Sequence, residues 1–128
     1  MTPRFAVIEL VVVDMAASLN FYRALGLELS TDLDAAPHAE LELPGGLKMA
    51  WDTVETIASF DPSFVKPEGS GMSLAFECES PAEVDATYEA MTAAGYDGHL
   101  KPFDAFWGQR YAAITDPDGY GVDLFAAS

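Results

Sequence analysis

One pattern occurs twice in this chain, and that repetition limits what it can fold into more than any single motif does. Phe5 to Val13 alternates as a strand, with Ile8, Leu10 and Val12 on one face and Val7, Glu9, Val11 and Val13 on the other. Asp14 stands where a helix N-cap belongs, Met15, Leu19, Tyr22 and Leu25 recur at helical spacing, and Gly26 supplies the left-handed stop. The order restarts at Met72 to Cys78, a strand with Leu74, Phe76 and Cys78 on one face. Ser80-Pro81-Ala82-Glu83 follows as a capping box with proline at the first helical position. Val84, Tyr88 and Met91 carry the second helical stripe, which Gly95 ends.

Shorter strands follow each helix. In the first half they are Leu27 to Asp32, Pro37 to Leu43, and Leu47 to Asp52 beyond the turn Pro44-Gly45-Gly46. In the second they are Tyr96 to Leu100 and then a hairpin within Trp107 to Phe125. Its strands are hinged by Asp116-Pro117-Asp118-Gly119: proline presets one turn dihedral, the aspartates bond their own backbone, and Gly119 takes a positive φ. Gln109, Tyr111 and Ala113 share one hairpin face with Gly121, Asp123 and Phe125, whereas Val122 and Leu124 point to a core. Thr53 to Gly71 breaks the pattern; Thr53 to Ala58 fits a short helical turn, and Pro62, Pro67, Gly69 and Gly71 mark a connector. The expected fold is α+β: one domain over 1–128, with a βαβββ module at 1–53, a linker at 54–70 and a second module at 71–128, forming a curved mixed sheet. Each module buries one sheet face under its helix, so the other faces must curl toward each other or toward a partner chain.

Composition narrows the function. There are 21 acidic against 6 basic residues, a net charge of −15, which excludes a nucleic-acid partner because binding phosphates needs a basic stripe. An acidic surface keeps a protein soluble and also draws cationic small ligands. No apolar run reaches the ~20 residues of a membrane span, and the first residues lack an export signal. Cys78, the only cysteine, falls in an apolar strand pattern, which fits a reducing cytoplasm and excludes a disulfide scaffold.

The paired modules, the Asp14-Met-Ala-Ala-Ser-Leu-Asn-Phe-Tyr22 helix and Asp116-Pro-Asp-Gly-Tyr120 before the last strand together resemble the vicinal oxygen chelate superfamily. That group includes glyoxalase I, extradiol dioxygenases, methylmalonyl-CoA epimerase and bleomycin-type resistance proteins. Four further segments resemble the mitomycin-binding branch of its antibiotic-resistance members: Ala36-Pro-His38, Ala50-Trp-Asp-Thr-Val-Glu-Thr56, Gly98-His-Leu-Lys-Pro102 and Trp107-Gly-Gln-Arg-Tyr111. The resemblance implies a homodimer that holds a planar antibiotic in a crevice between subunits and sequesters it without chemistry.

The metalloenzymes of the superfamily take ligands from their first, fourth, fifth and eighth strands, positions that correspond here to Val7, Ala50, Ser73 and Asp123. Val7 and Ala50 have no donor atoms, so that site lacks the three or four ligands a divalent ion needs. Glu9 lies two steps along its strand from the required place, and His38 and His99 fall in different modules. No metal or other cofactor is therefore expected, no Ser-His-Asp or Cys-His order suggests itself, and a buried Cys78 would be inert. The faces turned from the helices collect His38, Asp52, Gln109, Tyr111 and Asp123, with Glu9, Glu40, Glu42 and Glu77. Trp51 belongs to the helix-side core, and Arg110 to the neutralisation of nearby acids. His38 of one subunit and Trp107 are expected to form a stacking clamp, with Phe103, Phe106 and Tyr111 as apolar walls and Asp52 and Gln109 orienting polar substituents. The function expected is metal-free sequestration of a planar aromatic or quinone-type antibiotic in the cytoplasm. The rival is a glyoxalase-like or dioxygenase-like metalloenzyme of the same fold with a displaced metal site.

Overall fold

Alternation produces the first strand, β1 (Val7–Val12), in which Leu10 and Val12 are fully buried. The Asp14 carboxylate accepts from the Ala17 N–H at 3.1 Å and starts α1 (Met15–Ala24), whose Met15, Leu19 and Tyr22 are buried as the helical spacing requires. Gly26 at φ +109° then lets the Leu27 N–H return to the Tyr22 carbonyl at 3.0 Å. β2 (His38–Glu42) and β3 (Lys48–Thr53) complete a three-stranded sheet of order β1-β3-β2, with β1 parallel and β2 antiparallel to β3. Trp51 on β3 is fully buried and meets Tyr22 edge-on at 5.7 Å, as expected of a core residue. Thr53 caps α2 (Val54–Phe60), so the helical turn expected in the connector is a formed helix.

The structure, a computed structural model, describes residues 2–69 and 71–128. Its contacts divide it into two compact units, the chain up to Arg23 with Leu27–Lys66, and Ala24–Gly26 with Pro67–Ser128. The second holds β4 (Ser73–Glu77), α3 (Pro81–Ala93), β5 (Asp97–Ala105), β6 (Gln109–Thr115) and β7 (Gly121–Ala127). Its four strands take the order β4-β7-β6-β5, with β4 parallel to β7 and the rest antiparallel. In both units the strand before the helix pairs in parallel with the last strand. The single curved sheet expected is thus two hydrogen-bonded sheets.

The turn after β6 is built as its residues dictate. The buried Asp116 carboxylate accepts from the Asp118 and Tyr120 N–H groups at 2.8 and 2.9 Å, and Gly119 takes φ +88°. Directly opposed pairs then share a face, Ala112 with Leu124 and Ile114 with Val122 towards the core, Tyr111 with Phe125 and Ala113 with Asp123 away from it. Cys78, Val84, Ala112, Leu124 and Ala126 form a buried cluster against which Phe76 and Tyr88 pack. Burial, and secondarily the nearby Glu83, push the Cys78 thiol up, and its place in this buried cluster is the one expected.

Two further expectations are corrected. Leu27 to Asp32 is not a strand: Arg23 donates to the Leu29 carbonyl at 2.6 Å, to the Ser30 carbonyl at 2.8 Å and to the Asp34 carboxylate at 2.6 Å. Two acceptors that a sheet ladder would use are taken by one guanidinium, and the Ser30 hydroxyl caps a short 3-10 turn at Thr31–Leu33 instead. The strand placed at Tyr96 to Leu100 runs on to Ala105, through Pro102. Among the described residues β5 pairs only with β6, and its register shifts between Gly98 and Leu100 and between Leu100 and Phe103. A proline is tolerated on such an edge strand, where its missing N–H interrupts no interior ladder.

Candidate functional site

The seven expected site residues divide between the two units: His38 and Asp52 lie in the first, and Phe103, Phe106, Gln109, Trp107 and Tyr111 in the second. In the second unit, β5 and β6 are joined by a turn at Phe106-Trp107-Gly108, closed by the Gly108 N–H to the Ala105 carbonyl at 3.1 Å. Gly108 takes φ +90°, a conformation that disfavours side chains. Phe103 lies opposite Tyr111 in the register, so both rings rise from one face beneath the turn. Trp107 is the centre of the group, 5.0 Å from Phe106, 5.4 Å from Tyr111 and 6.3 Å from Phe103, each pair nearly edge-to-face. Phe106 is 96% exposed and Trp107 50%. Large rings in contact yet open to solvent are uncommon on an inert surface and are a usual property of a recognition patch.

Gln109 lies directly after the turn. Its side-chain oxygen accepts the Trp107 indole N–H at 2.7 Å, so it braces the ring from two residues away. The Tyr111 hydroxyl donates to the Asp123 carboxylate, and burial together with that carboxylate pushes the phenol up to about 12. On the opposite face, Arg110 donates to both carboxylate oxygens of Asp85, at 2.9 and 3.2 Å, and to Asp104 at 3.2 Å, neutralising local acids as expected.

In the first unit His38 and Asp52 face each other across β2 and β3, and the imidazole Nδ1 is 2.7 Å from Asp52 Oδ1. Its Nε2 is 2.9 Å from Glu40 Oε1, and Lys48 Nζ holds the other Glu40 oxygen at 3.3 Å. The His38 side chain is 43% exposed, whereas Asp52 is buried, and burial raises its carboxyl above the ordinary aspartate range. Ligand atoms of Glu9, His38 and Asp52 all lie within 4.8 Å of one another. Glu9 was missing from the expected set because alternation gives its face but not its neighbours. The parallel register sets it beside Ala50, which is itself opposite Glu40, and only then do the three groups meet.

The four metal positions that the resemblance implies do not fit a metal here. Val7 and Ala50 offer no ligand atoms, and the Asp123 carboxylate is engaged by Tyr111. Among the described residues no helix is long and apolar enough to cross a membrane.

The family model for the Glyoxalase/Bleomycin resistance protein/Dioxygenase superfamily matches residues 4–124. A glyoxalase/bleomycin resistance protein/dioxygenase from Nocardioides is 30% identical over 99% of this chain and 85% of its own, with a TM-score of 0.74. A family enzyme from Burkholderia phytofirmans PsJN superposes with a TM-score of 0.83 at 16% identity, over 98% of this chain and all (100%) of its own. A glyoxalase-related enzyme from Fulvimarina pelagi gives 0.80 at 22%, over 98% and 88%. Those last two likenesses show the fold alone. No curated protein sequence matches significantly.

Proposed function

The chain belongs to the glyoxalase/bleomycin resistance protein/dioxygenase superfamily, and we propose that within it this protein binds and sequesters a planar aromatic or quinone-type compound, such as an antibiotic, without transforming it. The observation that carries the reading is the solvent-open group of Phe103, Phe106, Trp107 and Tyr111. A flat conjugated ligand gains about 0.5–1.5 kcal/mol per ring contact beyond simple burial. Gln109 fixes the indole before the ligand arrives, which lowers the ordering cost of binding. The net charge of −15 favours amine-bearing compounds. The proposal includes a homodimer, in which His38 of one subunit and Trp107 of the other would take opposite faces of the ligand. A monomer in sedimentation at binding concentrations would remove that part.

The two tryptophans make the test direct, since Trp51 is fully buried and Trp107 half exposed. Titration with mitomycin C and a panel of planar drugs is expected to quench the exposed indole saturably and to return the compound unchanged. Trp107→Ala is expected to weaken binding at least about tenfold, a loss of about 1.4 kcal/mol. Absence of saturable binding to any quinone, quinoxaline or glycopeptide-type drug would sink the reading. The rival, a metalloenzyme of the same fold, is favoured by the meeting of Glu9, His38 and Asp52, and turnover of a glyoxalase or dioxygenase substrate, lost on chelation, would establish it.

A further inference from the structure

We propose that Glu9, His38 and Asp52 bind one divalent first-row cation, such as manganese, iron(II), cobalt or zinc, in a site made entirely by the first unit. It uses none of the positions Val7, Ala50, Ser73 or Asp123, and it draws on β1, β2 and β3 alone.

The arrangement of donor atoms carries the argument. His38 is within hydrogen-bond distance of a carboxylate at each ring nitrogen, Asp52 at 2.7 Å and Glu40 at 2.9 Å. Glu9 brings a further carboxylate, and ligand atoms of Glu9, His38 and Asp52 all lie within 4.8 Å of one another. A divalent cation placed among these three groups gains one imidazole nitrogen and two carboxylates, and it offsets the acidic charge that Glu9, Glu40 and Asp52 gather beside Lys48.

The surrounding contacts suit such an ion. With Nδ1 as ligand, the Nε2–H donates to Glu40, and Lys48 anchors Glu40 from its far side. A ligating histidine usually has such an outer carboxylate, which fixes its tautomer and orientation. Ligand atoms about 2.1 Å from an ion and at right angles stand about 3 Å apart. The 2.7 Å contact therefore opens slightly, and the longer gaps, up to 4.8 Å, close by rotation of the exposed Glu9. Two carboxylates and one imidazole, with no thiolate, select hard to borderline divalent ions and leave coordination positions open to water or ligand.

The test is titration of the chelator-stripped full-length protein with cobalt(II), read by its visible absorption, and with manganese(II), read by loss of the free-ion electron paramagnetic resonance signal. The expected result is one ion per chain, with affinity reduced at least about tenfold in His38→Ala and Glu9→Gln, and about 10–100-fold in the outer variant Glu40→Gln. Glu9 is exposed, so its variant keeps the fold, and circular dichroism checks each protein. No saturable binding by the parent, or equal binding by His38→Ala and Glu9→Gln, overturns the proposal. Drug quenching reads Trp107 and metal titration reads His38, so failure of one is distinguishable from failure of the other.

Discussion

At the residue scale, Tyr111 joins the aromatic group to the acidic sheet face, and it gives a signature in pH. Its phenol is raised to about 12, first by burial and then by the Asp123 carboxylate that accepts its proton. The folded value lies above that of an unfolded chain, about 10, so the stabilisation is complete below about pH 10 and is lost as pH rises through about 12. Absorbance titration of the phenolates is expected to include a step near 12 from Tyr111 in the folded protein. Tyr111→Phe should remove that step and flatten the fall in denaturant midpoint over the same window; a midpoint that falls as steeply in the variant would count against the assignment. Much of this face could be read from the chain. A period of two and an Asp-Pro-Asp-Gly turn are local properties, and they placed Tyr111, Asp123 and Phe125 together and Val122 and Leu124 opposite. The bond from Trp107 to Gln109 was not legible, because side-chain pairing across a turn has no sequence period.

At the element scale, the difference between the modules comes from one side chain. Arg23 sits in the last turn of α1 and takes the carbonyls of Leu29 and Ser30, where the apolar pattern alone reads as strand. The pattern records that Leu29 is buried, which is true, but not that its carbonyl has another partner. Strand preference is a weak backbone tendency and gives way to such a tertiary contact. Arg23→Ala would leave those acceptors and the Asp34 carboxylate without their donor. A loss of about 1.5–3 kcal/mol is expected in chemical denaturation, in the range for hydrogen bonds to a charged group. A change under about 0.5 kcal/mol would show that water satisfies the segment equally well. The reach of β5 beyond Leu100 was similarly hidden, because Pro102 reads as a strand breaker until its edge position is known.

At the scale of the whole molecule, the repeat was the most legible feature. Capped helices closed by Gly26 and Gly95 recur, and both sheets pair their first and last strands in parallel. The Glu9, His38 and Asp52 group was the least legible part, since it depends on the register of strands far apart in the chain. The charge of −15 carries a prediction of its own. Affinity for a cationic planar ligand should fall between about 0.01 M and about 1 M salt, as the screening length shrinks from about 30 Å to about 3 Å, and affinity for a neutral analogue should not. Parallel fluorescence titrations compare the two, and equal slopes would mean that the acidic surface takes no part in binding.

The guanidinium that occupies the Leu29 and Ser30 carbonyls also leaves β2 at the border of its sheet. A border strand is a template on which foreign chains can grow into fibrils, and charges along it discourage that. His38, Glu40 and Glu42 alternate along this border. Charge on this edge strand works against such pairing, so a variant such as Glu40→Gln, made for binding studies, is expected to aggregate more readily, which light scattering of the variant beside the parent checks.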